Sequence, residues 1–321
     1  NTVVLKGSEC SAAPILEFGK LIAEAGIPDG VVNIITGHGD PCGRVLTSHP
    51  RVARVSFTGG PVSAGHVIRN TAENFAELSL ELGGKSPFIV FDDADIDSAV
   101  NGSVAGIFAA SGQSCVAGSR LYLHDAIADS FLAKMTAIAN SIQIGDPQAE
   151  DTQMGPLCTP AQIDHIETQV ARAVEQGGRI LAGGRRVDGM DGLFFQPTII
   201  ECPDPSMEIV DTELFGPVLA VLRFSDEDDV IAQANRSVHG LAAGLFTRDS
   251  ARSMRVARRL RAGIVWVNTY RVISPIAEFG GSKQSGYGRE SGMQAVYDYT
   301  RPKTVWMNLS DDPVANPFEP R

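Results

Sequence analysis

Cys115 stands in the stretch Gly112–Arg120, GQSCVAGSR, among residues too small to pack it away. A thiol becomes a nucleophile when a histidine, a cation or backbone N–H groups favour thiolate. Of the six histidines only His124 is near in sequence, and its place at the end of RLYLH suits a surface position. A thiol–imidazole pair is therefore not indicated. Backbone N–H groups and a bound cationic cofactor remain as activators, and an unreactive thiol remains as the alternative. Glu81 lies 34 positions earlier (115 − 81), at the end of a strand-like run in LELGGK. A carboxylate there, beside two glycines, suits a general base if its surroundings raise its pKa. It would equally suit an ion pair with Lys85 or Arg120.

Other stretches read as a binding surface. Lys6 and Glu9 follow a strand end in LKGSE, where a parallel sheet gathers ligands and an acid can accept ribose hydroxyls. A solvated turn is the alternative. In SFTGGPVSAG a strand runs into Gly59-Gly60, and Pro61 opens a helix. Glycines admit a close ligand and a helix N-terminus offers N–H donors to phosphate, although such a pair is common in α/β proteins. Glu213 and Phe215 in ELFGPV suit a polar cofactor group and a ring, or simply a turn. The segment 279–292, FGGSKQSGYGRESG, has five glycines in fourteen residues and reads as a loop lining a cleft. The acidic run 92–97, DDADID, reads as a strand end and helix N-cap and not as a metal site.

These residues need a frame to hold them. Strands are expected at 2–6, 31–36, 54–58, 76–82, 87–91 and 120–124, and in FQPTII, VLAVLRF, AGLFT and IVWVN. Helices are expected at 14–25, 61–70, 95–110, 128–141 and 159–175. Strand–helix alternation implies βαβ units and a parallel sheet covered on both faces. Two α/β blocks meet near Gly83-Gly84. The terminal KTVWMNL reads as a strand whose partner lies in another element or subunit.

Composition narrows the class. The 321 residues suffice for about two domains. A net charge of −11 argues against nucleic acid. No run approaches the ~18–20 apolar residues of a membrane span. Five scattered cysteines with no C-x-x-C spacing indicate neither a disulfide framework nor a zinc site, and point to a reducing, cytoplasmic setting. The chain opens without methionine on a strand-like NTVVLKGSE, which suggests that it starts inside a domain.

Taken together, NTVVLKGSE, PDGVVNIITG, SFTGG, LELGGKSP, GQSCVAGSR, ELFGPV, WVN, FGGSKQSGYGRESG and KTVWMNL resemble, in order and spacing, the aldehyde dehydrogenase superfamily of NAD-dependent, hydrolytic type. The resemblance implies a Rossmann-like cofactor domain, of which 1–83 would be the C-terminal part. It implies a catalytic domain with a mostly parallel sheet at 84–284, and a return segment with an oligomerisation strand and tail at 285–321. Cys115 would attack an aldehyde, hydride would pass to NAD, and Glu81 would activate water to hydrolyse the thioester. Lys6, Ser8 and Glu9 would meet the adenosine ribose, Thr58, Gly59, Gly60 and Leu82 the rest of the cofactor, Glu213 and Phe215 the nicotinamide end. Glu290 would assist a proton relay. Ser114, Val116, Tyr270, Arg271, Ile273 and Phe279 would line the substrate tunnel, with Arg271 either pairing an acidic substrate or capping a helix. Glu9 would favour NAD over NADP by repelling a 2′-phosphate, and Glu81 would favour a free acid over an acyl–coenzyme A.

Gly60 and Gly7 depart from the serine and proline usual in the family. The resemblance also implies a preceding segment carrying an oxyanion asparagine, a relay lysine, part of the cofactor sheet and an oligomerisation strand. These 321 residues alone would then have little activity and doubtful folding. A homodimer or homotetramer is implied. A cysteine acyl hydrolase needing no NAD, and a catalytically silent member of the fold, are the competing expectations.

Overall fold

The computed structural model describes residues 1–318; the last three residues of the return segment lie outside them. Strands β1 (Val3–Lys6) and β2 (Val32–Ile35) pair in parallel, joined through α1 (Ala12–Glu24). After α2 (Arg44–Ser48), β3 (Arg54–Thr58) crosses through α3 (Pro61–Thr71) to β4 (Glu77–Glu81). That pair is parallel too, with Thr58 opposite Glu81. Equal register brings both carboxyl ends to one edge, where ligands of open parallel sheets collect.

The chain then enters a larger sheet. Its elements are β5 (Pro87–Val90), α4 (Ile96–Phe108), β6 (Arg120–His124), α5 (Ala128–Ser141), α6 (Pro160–Glu175), β7 (Arg179–Ala182), β8 (Thr198–Glu201), α7 (Glu208–Asp211) and β9 (Val218–Phe224). They continue with α8 (Glu227–Arg236), β10 (His239–Gly240), β11 (Ala242–Phe246), α9 (Ser250–Arg259) and β12 (Ile264–Val267). Seven strands lie in the order β12-β11-β5-β6-β9-β8-β7, parallel except for β7. Strand alternation explains the two covered faces. Ile89, Tyr122, Ala220 and Leu222 pack with Ile163, Ile166, Val230 and Val256 on one side; Phe88, Val90, Leu121 and Leu219 pack with Val100, Ile107, Phe131 and Met135 on the other.

The return segment brings β13 (Ser282–Lys283) against β10, β14 (Gly286–Tyr287) against β4, and then α10 (Gly292–Asp298). Arg54 fixes α10 to the smaller sheet through Asp298 at 2.9 Å and by lying 5.0 Å over the Tyr299 ring. Residues 303–309 run without a ladder partner among the described residues, with Trp306 93% exposed. A strand is a member of a ladder, and among the described residues no ladder includes this stretch.

The acidic run serves as corner chemistry. Asp95 caps α4 by accepting from the Ser98 N–H at 3.0 Å, and Asp93 accepts from the Thr247 hydroxyl and the Arg248 and Asp249 N–H groups. Among the described residues no helix is long and apolar enough to cross a membrane, and no cluster of three or more His, Cys, Asp or Glu could hold a metal ion.

Candidate active site

The centre is built on glycines that let backbone and carboxylates approach. A Cβ on Gly83 would fall 1.8 Å from the Glu213 Oε2, and one on Gly84 would fall 2.5 Å from the Cys115 carbonyl oxygen. The Gly83–Gly84 turn is thus pressed between Glu213 and the Cys115 loop. The Gly84 N–H donates to Glu213 Oε1 at 3.0 Å. Ser285, fully buried, holds the turn from behind: its hydroxyl donates to the Gly83 carbonyl at 2.7 Å and accepts from the Gly240 N–H at 2.9 Å.

The cysteine loop is conformationally demanding. Ala110, Ser111 and Gly112 all have positive φ (55°, 54° and 70°), as does Phe215 (49°) in the facing segment. Non-glycine residues there are held by their surroundings at some cost. A Cβ on Gly112 would fall 2.2 Å from the Gly216 carbonyl, so the loop seats directly on the chain that carries Glu213 and Phe215. Cys115 is half-buried. Burial pushes its thiol pKa up, the Val116 N–H opposes this, and the charges of Glu213 and Glu81 add to the rise. His124 lies elsewhere, its ring edge-on to Phe224.

Glu81 is 6% exposed, and neither carboxylate oxygen has a hydrogen-bond partner. The expected alternative, pairing with Lys85 or Arg120, does not occur. Arg120 is spent on the Lys85 and Ala234 carbonyls at 2.7 and 2.9 Å and on the Tyr122 hydroxyl at 3.2 Å. Burial raises the Glu81 pKa from its ordinary 4.5 to about 7; Glu290 adds to the rise and Arg289 opposes it. Glu290 is placed by the Ser56 hydroxyl, which donates to its Oε1 at 2.7 Å, and by a two-way backbone bridge to Phe279.

The residues expected to meet a cofactor lie at strand ends. Leu82 is buried and its N–H bonds to the Ser285 carbonyl. Gly59 donates its N–H to the Glu81 carbonyl at 3.1 Å, so Thr58 and Gly59 sit at the edge that carries Glu81. Gly60, the N-cap of α3, faces open space, with nothing within 4 Å of where a Cβ would stand. Lys6 and Glu9 form an exposed ion pair at 3.4 Å, with His38 at 3.9 Å on the far oxygen of Glu9. Glu9's own backbone N–H, then Lys6, hold its carboxyl below the usual range. Ser8 accepts from the Cys10 N–H.

The expected tunnel residues divide. Cys115, Val116, Tyr270 and Phe279 gather on the small cluster around Trp266. Tyr270 is a brace: its ring stands 4.8 Å from Trp266 and 5.0 Å from Phe88, and its hydroxyl donates to the Val116 carbonyl at 2.9 Å. Arg271 donates to the Ala105 and Ala109 carbonyls at 3.2 and 3.4 Å, so it caps α4, the second of its two expected readings. Ile273 is exposed, and Ser114 bonds through its N–H to the Gly112 carbonyl within the cysteine loop. Ser285, Ser56, Arg289 and His38 escaped the sequence reading. Ser285 and Arg289 at least stood within the glycine-rich stretch 279–292.

Parallel strand ends, an open helix N-terminus and an exposed acid fit a dinucleotide. A thiol, a buried base and that surface together fit oxidation through a covalent intermediate. The profile of the aldehyde dehydrogenase family matches residues 1–305. A (Z)-2-((N-methylformamido)methylene)-5-hydroxybutyrolactone dehydrogenase of Acinetobacter baylyi is 54% identical, over 99% of this chain and 65% of the relative. A betaine aldehyde dehydrogenase of Cereibacter sphaeroides is 42% identical over the same shares. Among solved structures, PnpE from Pseudomonas sp. WBC-3 superposes with a TM-score of 0.96 at 41% identity, covering 99% of this chain and 66% of that one. The NAD+ complex of an aldehyde dehydrogenase from Bacillus cereus gives 0.94 at 39% identity, covering 96% and 63%. The chain thus spans about 65% of the length of the curated relatives it matches.

Proposed function

The chain belongs to the aldehyde dehydrogenase family, and from that premise we propose that its protein oxidises an aldehyde to a carboxylic acid with NAD. The observation that carries this reading is the convergence on one glycine turn of Cys115 and a buried, unpartnered Glu81. Bound at the strand ends, NAD would accept the hydride. Lys6, Ser8 and Glu9 would hold one ribose, Thr58, Gly59, Gly60 and Leu82 would frame the path to the centre, and Glu213 and Phe215 would hold the nicotinamide end.

The Cys115 thiolate bonds to the aldehyde carbon as the C=O π bond opens, giving a thiohemiacetal alkoxide. Loss of hydride leaves a thioester. Glu81 takes a proton from water as the water's oxygen bonds to the acyl carbon; the C–S bond breaks, thiolate returns and the acid departs. Glu290, facing Glu81 and held by Ser56, would pass that proton outward. Burial without any donor, and then the charge of Glu290, raise the Glu81 pKa to about 7, as a base needs. Tyr270, a brace, has no part in proton transfer, because its hydroxyl is engaged with Val116. A homodimer or homotetramer working in the cytoplasm completes the reading.

Aldehyde-dependent NADH formation by the native protein tests it, with the substrates named for the two relatives heading a panel of aliphatic, aromatic and carboxylated aldehydes. Cys115→Ala should abolish NADH formation. Formation that survives this change refutes the assigned nucleophile, and acyl-ester hydrolysis without any NAD requirement would favour the hydrolase reading.

A further inference from the structure

Cys115 and Val116 are the central residues of a turn that the Ala117 N–H closes on the Ser114 carbonyl at 3.0 Å. That bond uses the Ser114 carbonyl, so the Val116 carbonyl must find a donor elsewhere. Val116 is 3% exposed, and a buried carbonyl needs a partner. The Tyr270 hydroxyl supplies it at 2.9 Å. Upstream, the loop enters through Ala110 and Ser111, two non-glycine residues with positive φ (55° and 54°). Arg271 grips that entrance: its Nη1 donates to the Ala105 and Ala109 carbonyls at 3.2 and 3.4 Å, at the C-terminal end of α4. Two consecutive side chains therefore hold the loop, one before the cysteine and one after it.

The clamp is itself firmly mounted. The Tyr270 ring lies where three glycines leave room: a Cβ on Gly106 of α4, on Gly118 of the cysteine loop or on Gly244 of β11 would fall 3.1, 3.2 or 2.6 Å from its carbons. Two of these glycines are tied to each other, the Gly118 N–H donating to the Gly106 carbonyl at 3.1 Å. Asn268 and Arg271, on either side of Tyr270 in the chain, both have positive φ (54° and 61°). Asn268 is pinned to Thr247, accepting its N–H at 3.0 Å and donating to its carbonyl at 2.9 Å. Strained backbone persists only where its surroundings over-determine it.

We propose that Tyr270 and Arg271 are positioning residues: together they clamp the cysteine loop, and Tyr270, through the Val116 carbonyl, holds the Cys115–Val116 turn in the orientation that makes the thiol reactive. The inference rests on the reading of Cys115 as the nucleophile. Burial is the first influence on that thiol and raises its pKa; Glu213 from the segment before β9 and Glu81 from the end of β4 add to the rise. The Val116 N–H is the foremost group working the other way, and it belongs to the turn that Tyr270 holds. Tyr270 stays protonated throughout, because burial lifts its hydroxyl above the ordinary range.

The experiment follows alkylation of Cys115 by iodoacetamide against pH, read from the mass of its peptide, in the native enzyme and its Tyr270→Phe and Arg271→Gln variants, with NAD affinity measured for each. Tyr270→Phe keeps the ring and removes only the hydroxyl. Alkylation should slow about three- to tenfold near pH 7, the order set by one lost hydrogen bond. It should regain the native rate above the thiol's own pKa, where thiolate formation is complete. Single-turnover NADH formation should slow in parallel near pH 7, with NAD affinity unchanged. Arg271 is only half-buried, so Arg271→Gln tests the clamp even where Tyr270→Phe does not fold. It should slow alkylation less, with the same pH dependence, and still do so at about 1 M salt, where a bare charge is screened within about 3 Å. An unchanged rate in Tyr270→Phe, or a slowing equal at every pH as general loosening would give, overturns the proposal. An Arg271→Gln effect that salt abolishes overturns the clamping role of Arg271. Should Cys115→Ala still form NADH, the nucleophile reading fails, while the alkylation profiles still decide whether Tyr270 holds the turn.

Discussion

Replacing Glu81 by glutamine should make the enzyme slower and more stable at once. Glutamine keeps the shape and removes the charge. In the proposed mechanism Glu81 deprotonates water, and losing a general base slows the assisted step by about 10²–10⁴-fold. The first turnover does not need it, so a burst of NADH near one per site should remain while steady turnover collapses. Stability follows from the same burial. The carboxyl goes from 4.5 to about 7 on folding, and at roughly 1.4 kcal/mol per pH unit that is about 3 kcal/mol against the folded state. The folded protein holds the proton more tightly than the unfolded chain does. The penalty is therefore absent below about 4.5, grows between there and about 7, and is complete above. Glu81→Gln should exceed the unsubstituted enzyme in unfolding free energy by about 1–3 kcal/mol near pH 8, shrinking below about 1 kcal/mol near pH 5. Denaturant melts at the two pH values read the difference; rapid-mixing absorbance reads the burst. A variant no more stable at the higher pH would refute the unpartnered burial of Glu81. One that keeps more than about a third of steady turnover would refute its role as base.

Two glycines carry further expectations of opposite sign. A methyl group at Gly83 would meet the Glu213 Oε2 at 1.8 Å, so Gly83→Ala should push Glu213 off the Gly84 amide at a cost of about 1–3 kcal/mol; the KM for NAD should rise, and an unchanged KM would contradict the seating of Glu213. Gly60 faces open space with extended backbone (φ −81°, ψ 158°) at the N-cap of α3, so Gly60→Ser should fit, stabilise the helix by a few tenths of a kcal/mol, and tighten NAD by adding a hydroxyl beside the phosphate path. Calorimetric melting and NAD titration check both effects, and a lower melting point would show that the N-cap is crowded.

What could be read from the chain, and what could not, follows from how local each signal is. β6 and β9 match the expected RLYLH and VLAVLRF runs because strands buried on both faces are continuous apolar segments whose ends are polar. α1 shows the reverse case: its apolar spacing announced a helix, and Leu16, Phe18 and Leu21 indeed share one, yet each is at least half exposed. Periodicity reports which face seeks cover, not whether cover is present. Helices α8 and α9 went unread although Asp226 and Asp249 cap them, because their charged faces mask a narrow apolar stripe. Cys115 and Glu81 were legible because their types are rare in such small-residue surroundings.

Lys85, an expected alternative partner for Glu81, does not pair with it. Only packing shows that Lys85 is sealed in, that Arg120 is already satisfied, and that Glu81 has no hydrogen-bond partner. Had Lys85 paired with Glu81, the base would have been held as an ordinary low-pKa carboxylate and been useless near neutrality. The Gly83–Gly84 turn sets two acids apart: Glu213 accepts the Gly84 N–H, whereas Glu81 has no donor. The turn's lack of side chains makes that separation possible: any Cβ at 83 or 84 would displace Glu213 or the Cys115 loop. Burial raises the pKa of both acids, at Glu213 against the opposing Gly84 amide, and the charges of both push up one thiol.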